Sequence, residues 1–396
     1  MAALPGVDME GIDGPSLSKS PPDRICRMAE MRPCPRVACG KIEQSLLLMR
    51  SYPLLSLLFA FSISTLVVIR PVQAGRVIFI SVDGMRPDAV DVLGPAGAPT
   101  FHRLRREGAY TSNARTDKIY TITLPNHTCM VTSRGVVGPE GHNWISNGDP
   151  KLGENLHRIH KGYVASMFDV AHDHGLATAL YATKSKFSLY DLSYDGNNGA
   201  NDKTGDDNGM DKIDHVVINE DASALVSSLI SDLAAKPADL TMLHLRNCDS
   251  AGHAEGWNLA KGTPYLEALR TVDELLGQLL AAINSSPDLK GDTWIVLTAD
   301  HGGLTGSKGH GESKESDNFT IPFYTWGPGV KAGSDFYELN AASRKDPGKE
   351  NPAYTEAAQP IRNGDAGNLN LSLLKLPAIP GSTINPTQDL KVGDVP

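Results

Sequence analysis

From residue 76 onward, short apolar and β-branched runs alternate with longer stretches whose apolar positions recur every three or four residues. The runs 77–82, 177–181, 240–245, 294–298 and 321–326 are strand candidates. Between them, 163–174, 222–235 and 265–283 carry an apolar stripe at helical spacing. Strands separated by helices predict parallel pairing through crossover helices, and so an α/β fold: a doubly wound, mostly parallel sheet with helices on both faces. Residues 195–214 form a loop rich in Gly, Asn and Asp, and 342–359 form a second polar excursion. Neither is long enough for a second domain, so 75–396 reads as a single catalytic domain. Asp206-Asp207-Asn208-Gly209 lacks the alternating ligands and closing Glu of a calcium loop and reads as a solvated turn.

The N-terminal part has a different pattern. The one long apolar run, 53–69, is preceded by Lys41 and Arg50 and followed by Val72-Gln73-Ala74, the small-residue spacing of a secretory cleavage site. This predicts a signal peptide over 49–74, cleaved after Ala74, with Met49 as the start. Residues 1–48, rich in Pro and Arg without apolar periodicity, then read as disordered or as preceding the true start. The alternative is an uncleaved signal anchor, since 17 residues is the lower limit of a spanning helix. The expected location is secreted or extracytoplasmic, without stable membrane association unless 53–69 is retained. If the host glycosylates, Asn284, Asn318 and Asn370 stand in sequons. Asn126 also forms one with Thr128, but its place at a predicted helix start argues for burial.

Composition narrows the chemistry. With 37 Lys and Arg against 46 Asp and Glu, a net charge of -9 gives no help to binding a nucleic-acid polymer. Of 5 cysteines, only Cys129 and Cys248 follow residue 74, so neither a disulfide framework nor a four-cysteine zinc site can form there. A bridge between those two and a pair of buried thiols are both open.

In open parallel sheets chemistry sits beyond the carboxyl ends of the strands. Asp83 follows the first predicted strand. Asp249 and His253 follow the third in Asn247-Cys248-Asp249-Ser250-Ala251-Gly252-His253, and Asp300 and His301 follow the fourth in Asp300-His301-Gly302-Gly303, with His310 shortly after. A lone Asp at a strand end is commonly a helix cap, and a lone His a satisfied core residue. Capping does not require adjacent Asp-His followed by glycines, or Asp and His four apart with Gly between. Together they match the mixed oxygen and nitrogen ligation that zinc accepts, and the glycines are expected to let backbone crowd a metal centre. A further element is Thr121-Ile122-Thr123-Leu124-Pro125-Asn126-His127-Thr128, where Pro125 fits a first helical turn. Thr123 would lie at that helix N-terminus, where free amides favour an alkoxide or phosphoryl group, or it would serve only as the N-cap.

The order Asp83, Thr123-Leu124-Pro125-Asn126-His127, Asp249-x-x-x-His253, Asp300-His301-Gly302 and His310 resembles the alkaline phosphatase superfamily, over residues 76–385. Within it the pattern resembles the type I phosphodiesterase and nucleotide pyrophosphatase family. The resemblance implies two Zn2+ ions, one held by Asp249, His253 and His310 and the other by Asp83, Asp300 and His301, with Thr123 as nucleophile and metal-bridging residue. It implies a small phosphate-ester substrate cleaved in two steps through a phosphothreonine. It also implies an asparagine holding a nonbridging phosphate oxygen, carried over to Asn147 with Asn143 as rival. Two departures stand out: His310 comes earlier than the family's last His, and Asn143 replaces the usual Gly after His142. A sulfatase is disfavoured because Cys129 is followed by Met130-Val131 rather than the sulfatase pattern. A non-catalytic binding protein is disfavoured by the complete ligand set.

Substrate class is less constrained. Lys184 and Lys186 follow a predicted strand and resemble the paired cations of phosphomonoesterase and phosphonoacetate hydrolase members, which would clamp a dianion or carboxylate. A solvated lysine pair is the alternative. A nucleotide-type site would need an aromatic slot, for which Tyr181, Phe187, Tyr190, Tyr194 and Trp257 are available.

Overall fold

The computed structural model describes residues 75–202, 204 and 209–395, all within one compact unit. The expected signal segment at 49–74, residues 1–48 and most of the 206–209 turn lie outside the described residues. Eight strands form one sheet: β1 Arg76–Val82, β2 Ala109–Arg115, β3 Thr178–Ala182, β4 His215–Ile218, β5 Leu240–Leu245, β6 Thr293–Thr298, β7 Thr320–Trp326 and β8 Ser334–Asp335. Their order is β4-β3-β5-β1-β6-β7-β2-β8. Strands β4 to β6 across this order are all parallel.

The expected run at 321–326 is a strand, β7, but it pairs antiparallel with β6 and with β2. The reason lies in the connection. A parallel return needs a crossover helix, and residues 299–319 supply only the short helix Ser316–Phe319, so the chain leaves β6 at the functional edge and comes straight back down. Strands β2, β4 and β8 escape the apolar-run reading. β2 mixes polar residues into a partly exposed face, β4 is half-exposed, and β8 has 2 residues.

The apolar stripes become helices that bury one side. Ala222–Ala235 is capped by Asp221, whose side chain accepts from Ser223 and Ala224 amides. Pro264–Ser285 begins with Pro at its first turn and buries Leu266, Leu269, Leu276 and Leu280 along one face. Met167–Asp173 is shorter than the 163–174 stripe because Ser166 and Asp169 close a capping box that fixes its start. Strands β1, β5 and β6 are buried throughout, as their continuous apolar runs require. Cys129 and Cys248 are free buried thiols. Of the sequon asparagines, Asn126, Asn318 and Asn370 are buried, which leaves Asn284 alone partly exposed. Among the described residues no helix is long and apolar enough to cross a membrane.

Candidate active site

The carboxyl ends of β1, β5 and β6 bring Asp83, Asp249, Asp300 and His301 to one place. β1 lies between β5 and β6 in register, so residues following the three strands emerge side by side. Asp249 sits in the first turn of the helix Asn247–Glu255, and His253 one turn later on the same face. His310 reaches the cluster from the loop after β6.

Two groups of donors converge. Asp249 Oδ1 lies 3.2 Å from His253 Nε2 and 3.6 Å from His310 Nε2, and the two Nε2 atoms are 3.3 Å apart. His301 Nε2 lies 3.2 Å from Asp300 Oδ2, 3.4 Å from Asp83 Oδ1 and 3.7 Å from Asp249 Oδ1. Asp83 Oδ1, Asp249 Oδ1, Asp300 Oδ2 and His301 Nε2 are buried and, among the described residues, have no hydrogen-bond partner. Orphaned buried polar atoms are costly, and here four of them face one another.

The histidine wiring shows what these atoms suit. His253 Nδ1 donates to the Lys308 carbonyl at 2.7 Å, His301 Nδ1 to Gly302 at 2.8 Å and His310 Nδ1 to Thr121 at 2.6 Å. Each bond to a carbonyl keeps a proton on Nδ1 and aims Nε2 into the cluster, the arrangement of metal-ligating histidines. The residues present therefore fit divalent metal, and the groups Asp249, His253, His310 and Asp83, Asp249, His301 each have ligand atoms within 4.8 Å of one another.

Electrostatics agree with a crowded anionic site. Burial pushes Asp83 up, yet the Lys184 ammonium, the hydrogen bond from His244 and the nearby His301 imidazole outweigh it and hold its carboxyl well below the usual range. Asp249, against burial and the Asp83 charge, is held at about 2 by His253, Lys184 and His301. Burial and the Asp83 charge push Asp300 well above the carboxylate range. His301 is raised to about 9, because Asp300 and Asp83 overcome its burial. Burial and the neighbouring His301 hold His310 at about 3.

Thr123 is the first residue of the helix Thr123–Thr132 and is buried. Ile122 is the N-cap and its own side chain makes no cap, so Thr123 is not spent as a cap, and among the described residues its hydroxyl has no hydrogen-bond partner. The motif residues after it hold the turn. Asn126 donates to the Tyr120 and Ile122 carbonyls and accepts from the Asp117 amide. His127 bonds the Thr123 carbonyl at 2.8 Å through Nδ1 and Ser81 at 2.7 Å through Nε2, tying the helix start to β1.

The two asparagine candidates separate cleanly. Asn147 Oδ1 accepts from the Leu124 amide at 2.9 Å, which puts Asn147 at the helix start with its Nδ2 uncommitted among the described residues. Asn143, at φ 62, spends its amide on the Gly138 and Gly141 carbonyls and on His160, closing a turn. The lysines differ as well. Lys184 Nζ bridges Asp83 and Asp249, whereas Lys186 is half-buried and, among the described residues, has no ion pair or hydrogen bond. Tyr181, Phe187, Tyr190, Tyr194 and Trp257 are all buried, so none is placed to stack a base.

The glycines of the two histidine motifs serve a purpose the sequence does not reveal. A Cβ at Gly252 would meet the Trp257 ring at 2.2 Å and one at Gly303 would meet it at 2.0 Å, so the room they leave is filled by an indole rather than by a metal centre. Trp257 Nε1 donates to the Gly84 carbonyl at 3.1 Å, and the ring stands edge-on to His253 and His310. Gly84 itself has φ +69, and a Cβ there would press on the Asp249 backbone at 2.9 Å. Two further residues escape sequence reading. His244, inside β5, bonds Asp83 Oδ2 at 2.8 Å, and Asn363 donates to Asn126 Oδ1 at 3.0 Å beneath the site. His244 lies in a strand that is legible in the sequence, but only the pairing of that strand with β1 puts it beside Asp83.

Sheet order and site geometry together define an alkaline-phosphatase-like hydrolase fold. The chain belongs to the type I phosphodiesterase / nucleotide pyrophosphatase family, whose model matches residues 77–367, and so to a family of phosphoric ester hydrolases. Solved structures agree on the fold. A murine ectonucleotide pyrophosphatase / phosphodiesterase 5, an inactive variant in complex with AMP, superposes with a TM-score of 0.53 at 16% identity, covering 77% of this chain and 96% of that one. The human counterpart gives 0.51 at 16% identity with the same coverage. A putative sulfatase from Bacteroides fragilis gives 0.52 at 14% identity, covering 81% of this chain and 76% of that one. No protein of curated function matches by sequence.

Proposed function

We propose that this protein is a secreted, zinc-dependent hydrolase of small phosphate esters, of the phosphodiesterase or nucleotide pyrophosphatase type, acting through a phosphothreonine at Thr123. The observation that carries the reading is the set of three histidines, each anchored through Nδ1 to a carbonyl, whose Nε2 atoms meet orphaned carboxylate oxygens. The mixed oxygen and nitrogen donors suit two Zn2+ ions, one on Asp249, His253 and His310 and one on Asp83, Asp300 and His301. Metal bound there would supply Lewis-acid charge for the attacking and leaving oxygens of an in-line displacement.

The chain's own residues do the rest. Thr123 presents an uncapped hydroxyl at a helix N-terminus, where the dipole favours the charge that develops as its oxygen bonds to phosphorus and the ester oxygen leaves. Asn147 offers its free Nδ2 as a donor to a nonbridging oxygen beside it. The export signal at 49–74 is part of this reading.

A second reading has one observation in its favour. Lys186 is a half-buried cation without a partner among the described residues, and burial together with Lys184 lowers its proton affinity. A phosphomonoester dianion or a phosphonate bearing a carboxylate would satisfy it, whereas a diester has no second anionic oxygen. The test is kcat/KM of the full chain for p-nitrophenyl phosphate against the p-nitrophenyl ester of thymidine monophosphate, before and after chelation and with Zn2+ restored. Loss on chelation with a diester preference supports the first reading, and a monoester preference the second. Activity that survives complete metal removal overturns both.

A further inference from the structure

We propose that Lys184 and His244 are positioning residues that fix Asp83 and Asp249 through their outer oxygens, an assignment that rests on the metal reading above. Each of these carboxylates is divided. Lys184 Nζ lies 2.6 Å from Asp83 Oδ2 and 2.6 Å from Asp249 Oδ2, while both Oδ1 atoms are buried, unpartnered and turned toward His301 Nε2. His244 Nε2 adds a second bond to the same Asp83 Oδ2 at 2.8 Å. The outer oxygens thus carry the protein's contacts, and the inner ones are left for a ligand.

One segment and two strand pairings build this arrangement. β5 pairs with β1 so that His244 sits opposite Ser81, on the face that Asp83 shares two residues on. β5 also pairs with β3, with His244 opposite Ala182. The next residue, Thr183, donates its amide to His244 Nδ1 at 3.3 Å, and its hydroxyl lies 3.0 Å from the same nitrogen. A ring nitrogen that accepts a backbone N–H carries no proton, so the proton is on Nε2 and is donated to Asp83. Phe187 and His127 pack on the imidazole with centroids 4.2 Å and 5.0 Å away and hold its plane. Lys184, which the sequence offers with Lys186 as a substrate clamp, therefore grips two candidate ligands from outside, and Thr183 and Phe187 hold His244 in place.

The physical purpose follows from charge. Two carboxylates this close repel, and each can rotate about its last bond. An ammonium shared between their outer oxygens removes the repulsion on one side, and the imidazole N–H fixes the rotation of Asp83. Partners of this kind commonly change metal affinity about 10- to 100-fold. Lys184, saturated by two carboxylates, is then no substrate cation, and Lys186 alone remains available for one.

The experiment is Zn2+ binding by the full-length protein, measured by competition with a chromophoric chelator, for wild type, Lys184→Met, Lys184→Arg, His244→Leu and His244→Gln. Thermal unfolding of the metal-free forms identifies any variant that fails to fold. The expected result is an affinity about 10- to 100-fold weaker for Lys184→Met and His244→Leu. Affinity is expected within a few-fold of wild type for His244→Gln, whose amide N–H reaches the Nε2 position, and for Lys184→Arg. If Lys184→Met and His244→Leu bind Zn2+ as wild type does and Lys184→Met only raises KM for p-nitrophenyl phosphate, the positioning role is overturned and Lys184 is a substrate clamp. If wild type itself takes up no Zn2+, the metal reading fails, and the proposal with it.

Discussion

Gly252→Ala tests whether the two histidine motifs are held in place by a single indole. Trp257 is fully buried and lies between Gly252 and Gly303, and the added Cβ would stand 2.2 Å from Cε2 and 2.5 Å from Cζ2 of the ring. Ordinary contact begins at 3.4 Å, so the ring must retreat by about 1.2 Å, and Gly303 blocks it on the other side. Overpacking of this kind costs about 1–3 kcal/mol, and loss of the Trp257 bond to Gly84 adds roughly 1 kcal/mol. The expected destabilisation is therefore about 2–4 kcal/mol, read from urea unfolding, with a shift in tryptophan emission and a fall in kcat/KM as His253 and His310 lose the ring they pack on. In the double variant with Trp257→Phe, the smaller ring should recover part of the cost, giving a coupling of at least about 0.5 kcal/mol. A Gly252→Ala protein within about 0.5 kcal/mol of wild type, with unchanged emission, would refute the wedge.

Further predictions concern chemistry and pH. Thr123→Ala should lower kcat roughly 10^3-fold or more while Zn2+ binding is unchanged, and retained turnover in a stopped assay would remove the covalent step. Asn147→Ala should lower kcat about 10^2-fold, whereas Asn143→Ala, at a turn away from Thr123, should leave kcat within a few-fold; equal losses would contradict the assignment. His142 is buried and held at about 3 by that burial. Its depressed value means the unfolded chain takes up the proton first, so stability is complete above about pH 6.5 and declines as pH falls toward 3. Between pH 7 and 5 this costs about 2 kcal/mol, visible as a lower urea midpoint in the metal-free protein. His142→Gln should flatten that slope, and an unchanged slope would sink the argument.

How much of this was legible in advance can be read from particular elements. The strands at 240–245 and 294–298 and the helix Ala222–Ala235 stand in the sequence because their burial is one-sided or complete and leaves a periodic trace. β2 and β4 leave no such trace, since each is partly exposed and its hydrogen bonds depend on neighbours far along the chain.

The site divides in the same way. Fold class and family were readable from residue order alone, and so were Asp83, Asp249, His253, Asp300, His301, His310 and Thr123 as candidates, because Asp and His at strand ends have local spacing that capping does not explain. Residues of the same type were separated by three-dimensional packing: Asn147 rather than Asn143 lies at the helix start, and Lys184 is bound to carboxylates while Lys186 has no partner among the described residues. That packing alone placed His244 against Asp83, set β7 antiparallel and filled the glycine gaps with Trp257. The physical reason is that ligand chemistry is carried by residue type and local spacing, whereas the partner of a side chain is fixed by strand order and register. Those are set by packing between segments more than a hundred residues apart, such as β1 against β5 and β6.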